Sequence, residues 1–154
     1  MNHEAADHIE RLSPDECWDL LGRTSVGRLA VIVDHHPEIF PVNYVLDQGS
    51  IVFRTGVGTK FWATMTDPCA LEIDGYSASS GKAWSVVVRG QTRLFLDQHE
   101  RAAVDALNLD PWQPGSKSHY LRLDLDTVTG RRFKTTRPDI WNTPVTDPRT
   151  DIFH

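Results

Sequence analysis

The alternation of hydrophobic and polar residues predicts six β-strands joined mostly by short connections. Each predicted strand is rich in β-branched residues and is bounded by Gly, Pro or Asp turns. The strands span residues 26–33, 38–46, 51–55, 70–76, 83–96 and 120–128. The first three follow one another through the polar turns 34–37 and 47–50, which is typical of an antiparallel meander. Six strands with short inserted helices predict a mainly β protein, a small antiparallel barrel.

Three short helices are predicted between or before these strands. The first begins at a capping box of Ser13 and Glu16 around Pro14, and Gly22 is expected to end it after about Leu21. Its buried side should consist of Trp18, Leu21 and Leu20. The other two helices are predicted over residues 59–66 and 97–109.

Length and charge narrow the class of protein. The 154 residues correspond to one domain, and the net charge of -5 argues against a nucleic-acid or membrane-surface binder. We divide the chain into a flexible N-terminus (1–11), a single domain (12–133) and an extended C-terminal arm (134–154) that contains three prolines.

The cysteines and the N-terminus indicate the compartment. Cys17 and Cys69 form no close-spaced metal pair and are interpreted as free thiols of a reducing compartment. No run approaches the length of a membrane helix, and the polar start lacks the apolar core of a signal peptide, so a cytoplasmic protein is expected. Trp112 and Trp141 are interpreted as packing or dimer-contact residues.

The segment from Phe53 to Lys60 carries the clearest candidate chemistry. A predicted strand ends at Thr55, two glycines lie within the next three residues, and a predicted helix begins at Thr59. Backbone N–H groups at a helix start point outward beside the positive end of the helix dipole, where a phosphate binds well. The hydroxyls of Thr55 and Thr59 and the charges of Arg54 and Lys60 add donors. The spacing fits neither a Walker loop nor a dinucleotide fingerprint, and the alternative is a glycine-rich loop with a solvated lysine.

The preceding predicted strand carries a second candidate site. Asn43 lies inside an apolar run, and Pro41 removes a donor from the strand ladder. Alternation places Pro41, Asn43 and Val45 on one side, opposite Phe40, Val42 and Tyr44. An asparagine and exposed peptide groups beside apolar side chains can hold a flat heteroaromatic ring. The alternative is a bulged or edge strand in which Asn43 bonds nearby backbone.

Several other polar residues have weaker functional interpretations. His35 and His36 lie in a predicted turn and are interpreted as solvated, since no third metal ligand lies nearby. His119 is either an axial haem ligand or proton donor, or a partly exposed polar residue. Arg131 and Arg132 either reach a phosphate across a dimer or form surface ion pairs. The sequence offers no credible Ser-His-Asp or Cys-His arrangement for hydrolysis.

The order of several motifs resembles the pyridoxamine 5'-phosphate oxidase-like superfamily, in particular its short actinobacterial and nitroimidazole-resistance-like branch. The resemblance spans about residues 12–133. The motifs are Gly27-Arg28-Leu29-Ala30, Pro41-Val42-Asn43-Tyr44, Phe53-Arg54-Thr55, Gly58-Thr59-Lys60, Glu72-Ile73-Asp74, Trp84 to Gly90, and Thr129 to Phe133.

The resemblance implies a homodimeric split β-barrel with two FMN sites in the grooves between subunits. It assigns the phosphate to Thr59 and Lys60, with Arg54 and Thr55 beside them. It also implies that the segment Pro41, Val42, Asn43 and Tyr44 runs along the flavin ring and ribityl chain. Ser85 would reach the flavin from the long strand, with Trp84 next to it. The expected partner is therefore a second copy of the chain, and the expected activity is that of a flavin-dependent oxidoreductase.

The sequence also departs from the superfamily's vitamin oxidases. Residues 39–44 contain no Arg or Lys, and residues 134–141 do not align to the segment that binds the vitamin substrate. Authentic pyridoxamine phosphate oxidation is therefore not expected. The alternatives are a deazaflavin-dependent reductase, with Arg89, Arg131 and Arg132 along the coenzyme tail, or a non-catalytic flavin or haem binder.

Overall fold

The computed structural model describes residues 9–55, 67–94, 102–103, 106–107, 109 and 119–135, with the backbone alone at Thr55 and His119. The predicted helix 59–66 and residues 136–154 of the predicted arm lie outside the described residues. So does most of the predicted helix 97–109.

Seven strands and one helix make up the described part. In chain order they are β1 (Glu10–Arg11), α1 (Pro14–Arg23), β2 (Val26–Val33), β3 (His36–Asp47), β4 (Ser50–Thr55), β5 (Cys69–Ser77), β6 (Lys82–Leu94) and β7 (His119–Lys134). All six predicted strands are confirmed over their described residues, and β1 is an addition of two residues within the segment predicted to be flexible. It pairs with β7 through Glu10 and Arg11 opposite Arg132 and Arg131.

The six long strands close into an antiparallel barrel. The order across the sheet is β1-β7-β4-β3-β2-β5-β6, and a further pairing of β7 with β6 closes the ring. Every pairing is antiparallel. The core inside this ring consists of alternate residues from each strand, which include Leu29, Tyr44, Phe53, Leu71, Val86 and Leu123. The predicted barrel is confirmed.

Helix α1 begins as predicted but ends later. Ser13 and Glu16 form the complete capping box, with Pro14 in the first turn. Gly22 does not end the helix, which continues to Arg23 and is capped by Thr24 in an extended conformation. The hydroxyl of Thr24 donates to the Leu20 carbonyl at 2.8 Å. A side-chain donor therefore satisfies the final turn, and no left-handed glycine is needed.

The turn between β2 and β3 is shorter than predicted. Only Asp34 and His35 form it, with φ of 49° and 64°, and His36 already pairs with Val33. Two positive φ values match the twist of the flanking strands, which is the geometry of a two-residue hairpin. The predicted 47–50 hairpin follows the same rule at Gln48 and Gly49.

Strand β7 continues six residues beyond its predicted end at Val128. It pairs with β6 as far as Lys82 opposite Lys134, and α1 packs on it near Gly130. A Cβ atom at Gly130 would lie 2.6 Å from Sγ of Cys17. The absence of a side chain at Gly130 lets the helix approach the strand.

Candidate functional site

The segment Pro41–Tyr44 of β3 has the alternation that the sequence predicts. Val42 and Tyr44 are buried in the core, whereas Pro41 is exposed and Asn43 is half-buried on the outer face. The hydroxyl of Tyr44 donates to the Leu21 carbonyl at 2.7 Å, and burial raises the pKa of Tyr44 to about 12. The side chains of Val42 and Tyr44 therefore pack in the core. Within this segment, only Pro41 and Asn43 have side chains on the outer face.

Asn43 is the position at which β3 changes its pairing partner. Residues His36–Asn43 pair with β2, and residues Asn43–Asp47 pair with β4. Asn43 lies opposite Arg54, and Arg54 lies opposite Tyr120 on β7. Directly opposed residues point to the same face, so the three side chains form a row on the outer face of the barrel.

Arg54 is engaged within the chain. Its Nη1 donates to the Leu109 carbonyl at 3.1 Å, and its guanidinium carbon lies 5.2 Å from the centroid of the Tyr120 ring. Leu109 packs on the fully buried Val52, with Val45 and Tyr120 beside them. Leu109 and Tyr120 were not predicted as site residues, because both contacts join segments more than 50 residues apart and leave no local signal.

The residues of the predicted phosphate corner follow Arg54 directly in the sequence. Arg54 is the last residue of β4 whose side chain is described, and Thr55 lies opposite His119. The side chains of Thr55 and His119, together with Thr59 and Lys60, lie outside the described residues. The structure therefore describes the strand end that leads into the corner.

Ser85 and Trp84 lie on opposite faces of β6. Ser85 points outward, and Nε of Arg131 donates to its Oγ at 3.4 Å. Trp84 packs against the core. The adjacent Arg132 lies 3.7 Å from Glu10 in an ion pair.

The predicted site residues fall into two groups on opposite sides of the barrel. Asn43 and Arg54 lie on β3 and β4, and Ser85 lies on β6. Strands β3 and β6 are three steps apart in either direction around the ring, or about 14 Å at the usual strand spacing. Because Asn43 and Ser85 both point outward, one flavin ring cannot contact both within a single chain.

An ion-pair cluster lies between the two groups on the outer face. Arg28, opposite Pro41 on β2, bonds Glu72 at 2.7 Å and also bonds Asp74, both on β5. Burial raises the pKa of Glu72, the hydrogen bond with Asp74 adds to this, and Arg28 opposes it. The hydrogen bond to Asp74 raises the pKa of Arg28. The alternation Glu72-Ile73-Asp74 is the signal that both carboxylates share a face.

The remaining candidates have simpler surroundings. His35 and His36 are exposed, as is Arg89. Within the described ranges, no three His, Cys, Asp or Glu side chains are grouped to hold a metal ion. Cys17 and Cys69 are free and buried, and burial raises the pKa of Cys69 to about 11. Both thiols are therefore protonated and unreactive at neutral pH.

A cavity of about 590 Å³ opens at the other end of β4, away from both groups. The two arginines that line it are already paired, Arg122 with Asp47 and Arg93 with Asp124. We assign it no ligand.

The model of the pyridoxamine 5'-phosphate oxidase family matches residues 13–132. The chain belongs to this family. The match covers β2 to β6 and nearly all of β7, so the barrel is the split β-barrel of the family and the resemblance found in the sequence is confirmed.

Among the described residues, no helix is long and apolar enough to span a membrane.

Solved structures of family members superpose on most of the chain. A proposed pyridoxamine 5'-phosphate oxidase of Corynebacterium glutamicum is 35% identical, with a TM-score of 0.74 over 82% of this chain and 99% of that one. An FAD binding protein of Mycobacterium smegmatis is also 35% identical, with a TM-score of 0.69 over the same shares. The uncharacterized protein Rv0080 of Mycobacterium tuberculosis is 27% identical over 84% of this chain and 88% of its own length.

Proposed function

We propose that this chain binds a flavin nucleotide, FMN, without a covalent bond and acts as a flavin-dependent oxidoreductase. The observation that carries the proposal is that Asn43 on β3 lies opposite Arg54 near the end of β4, and the sequence of the predicted phosphate corner follows β4. Family membership and the 35% identity to an FAD binding protein support it. FAD contains the FMN moiety, so the same corner serves either nucleotide.

The phosphate is assigned to Thr59 and Lys60, with Thr55 beside them. Lys60 supplies a charge, and the N–H groups at the predicted helix start supply donors that a phosphate satisfies well. Arg54 precedes this corner on β4.

The flavin ring is assigned to the outer face of β3. Pro41 and Asn43 present their side chains there, and Asn43 supplies both an amide donor and a carbonyl acceptor. Val42 and Tyr44 take part through their backbone, because their side chains are buried in the core. A polar group between apolar neighbours fits a flat heteroaromatic ring whose edge bears donors and acceptors.

The bound flavin supplies hydride transfer, which needs no acid or base from the protein in principle. The residues of the chain bind the phosphate, orient the ring and exclude water from one of its faces. This accounts for a site without a conventional catalytic side chain.

The second proposed partner is another copy of the chain. Ser85 lies on the opposite side of the barrel from Asn43, so it reaches the same flavin only if a second copy supplies it. Trp84 is next to Ser85 in the chain, but its side chain packs against the core. The outer face of the β2–β3 hairpin carries an apolar stripe of Ala30, Ile32, Pro37, Ile39 and Pro41. Ile39 is 65% exposed and Ile32 is 39% exposed. The stripe ends beside Asn43, so a copy that covers it also closes the flavin groove.

The absorption spectrum of the purified protein tests the cofactor assignment, combined with the mass of any released chromophore. We expect a flavin spectrum and the mass of FMN. If the released chromophore has the mass of FAD, the assigned site stands and the bound nucleotide is FAD. A deazaflavin or haem spectrum would replace the proposal with the corresponding alternative. A colourless protein that fails to bind FMN in titration would refute it.

A matched pair of lysine variants tests the phosphate assignment. Lys60→Ala should weaken FMN binding by about tenfold or more, which is the loss expected for one charge-assisted contact. Lys82→Ala removes an exposed lysine at the start of β6 and should leave affinity unchanged. Equal affinities in the two variants would show that the phosphate lies elsewhere.

A matched pair of isoleucine variants tests the dimer. Ile39→Asp should shift the sedimentation mass from dimer to monomer and weaken FMN binding. Ile9→Asp alters another exposed isoleucine, which is 56% exposed and lies off the stripe, and should leave the dimer intact. A monomeric wild-type protein would refute the shared groove.

We also place the protein in the cytoplasm, because its two cysteines are free.

A further inference from the structure

We propose that Arg54 is a positioning residue, which holds the β6–β7 connection at Leu109 against the outer face of β4. Leu109 then forms part of one wall of the flavin groove beside Asn43. The role of Arg54 in flavin binding rests on the proposed function, whereas its contact with Leu109 does not.

Two contacts fix the Arg54 side chain inside the chain. Nη1 donates to the Leu109 carbonyl at 3.1 Å. The guanidinium stacks over Tyr120 with 5.2 Å between Cζ and the ring centroid. Nε is buried and has no hydrogen-bond partner within the described residues. A planar guanidinium can stack on a ring and donate at its edge at the same time, whereas an ammonium group cannot reproduce this geometry.

Leu109 is anchored from its other side as well. It is 6% exposed and packs on Val52, with Val45 and Tyr120 around them. Val45 is two residues beyond Asn43 on the same face of β3, or about 7 Å along the strand. The anchored residue of the connection therefore lies beside the proposed ring-binding segment.

The place of Arg54 in the chain links its two contacts to the proposed phosphate corner. Arg54 is placed one residue before the segment that leads into the phosphate corner, so its contact with Leu109 joins the wall of the groove to the strand that carries the corner.

Hydrogen exchange of the flavin-free protein tests the contact directly. Arg54→Met and Arg54→Lys should both speed amide exchange in peptides that contain Leu109, and neither should affect the peptides of β2. Arg23→Met is the control, because it removes an exposed arginine that pairs only with Asp19 in the same helix among the described contacts. Unchanged exchange around Leu109 in both Arg54 variants would overturn the proposal.

FMN titration over a range of salt concentrations tests the role in binding. Arg54→Met and Arg54→Lys should each weaken binding by about tenfold and leave the salt dependence of the wild type unchanged. Leu109→Ala should weaken binding in the same direction, and combining it with Arg54→Met should add little more. Lys60→Ala should reduce the salt dependence, because it removes a phosphate contact.

Two results of this titration would overturn the positioning role. The first is that Arg54→Lys binds FMN as the wild type does. The second is that Arg54→Met reduces the salt dependence of binding as much as Lys60→Ala does. Either result would show a direct contact between the Arg54 charge and the phosphate. If the wild type binds no flavin, the proposed function fails, and the exchange measurement still decides whether Arg54 holds Leu109.

Discussion

The indole of Trp84 lies against Gly75, its directly opposed partner on the neighbouring strand. A Cβ atom at Gly75 would fall 2.5 Å from Cζ2 and 2.6 Å from Cε2 of Trp84. The glycine therefore lets a bulky ring cross the strand beside it at the end of the core. Because Ser85 follows Trp84, this contact also fixes the part of β6 assigned to the flavin groove.

The variant Gly75→Ala should destabilise the protein by about 1–3 kcal/mol, since the methyl group displaces the ring or the strand. Trp84→Leu should relieve the clash, so the double variant should lose less stability than the sum of the two single variants. Gly22→Ala is the control, because its Cβ would meet only Leu46 Cδ1 at 3.7 Å. It should stabilise helix α1 by up to about 1 kcal/mol. Urea unfolding measures all four, and an unaffected Gly75→Ala would contradict the steric account.

Tyr44 should make stability fall at alkaline pH. Burial raises the pKa of Tyr44 to about 12 in the folded chain, against about 10 in an unfolded one. Between these values the unfolded state has lost the proton and the folded state keeps it. Stability is therefore full below about pH 10 and declines by up to about 1.4 kcal/mol per pH unit as the pH rises toward 12.

The variant Tyr44→Phe separates this effect from the titration of the cysteines. At neutral pH its free energy of unfolding should be lower by at least about 1 kcal/mol, because the Leu21 carbonyl loses its hydrogen-bond donor. Its deficit relative to the wild type should shrink above pH 10. Parallel pH profiles of the two proteins, measured by urea unfolding, would contradict the assignment.

Arg122 should contribute far more to stability than an exposed arginine. Its side chain is 9% exposed and bonds the Asp47 carboxylate at 2.8 Å and the Asp47 carbonyl at 3.0 Å. Arg122→Ala should cost about 3 kcal/mol, since it leaves the carboxylate without its partner, and Arg122→Lys should not restore the loss. Arg23→Ala, which breaks an exposed helical pair with Asp19, should change the free energy of unfolding by no more than about 0.5 kcal/mol. Equal effects would refute this ranking.

The turn at Asp34 and His35 should accept a better sequence. Both residues have positive φ, a conformation that costs most non-glycine residues about 1 kcal/mol. Replacing the pair with Asn-Gly, the preferred sequence of this hairpin turn, should stabilise the protein by up to about 1 kcal/mol. Asp34→Ala is the contrasting variant and should destabilise it, because alanine tolerates positive φ poorly. Thermal unfolding of the three proteins decides between gain and loss.

Local sequence patterns predicted strands β2 to β7, the start of α1 and the faces of β3. These features follow from local rules, because side chains alternate along a strand and a capping box acts over three residues. The residues Pro41 to Tyr44 could therefore be assigned to opposite faces without a structure. The family resemblance followed from the order of the motifs.

Which of these residues lie together depends on the order and register of the strands. The fold joins Arg54 to Leu109 and Tyr120, and it places Asn43 three strand steps away from Ser85. It also extends β7 past Gly130, where the lack of a side chain leaves room for Sγ of Cys17 in helix α1. Such contacts depend on strand order and register, which couple residues far apart in the chain, and no local pattern encodes that pairing.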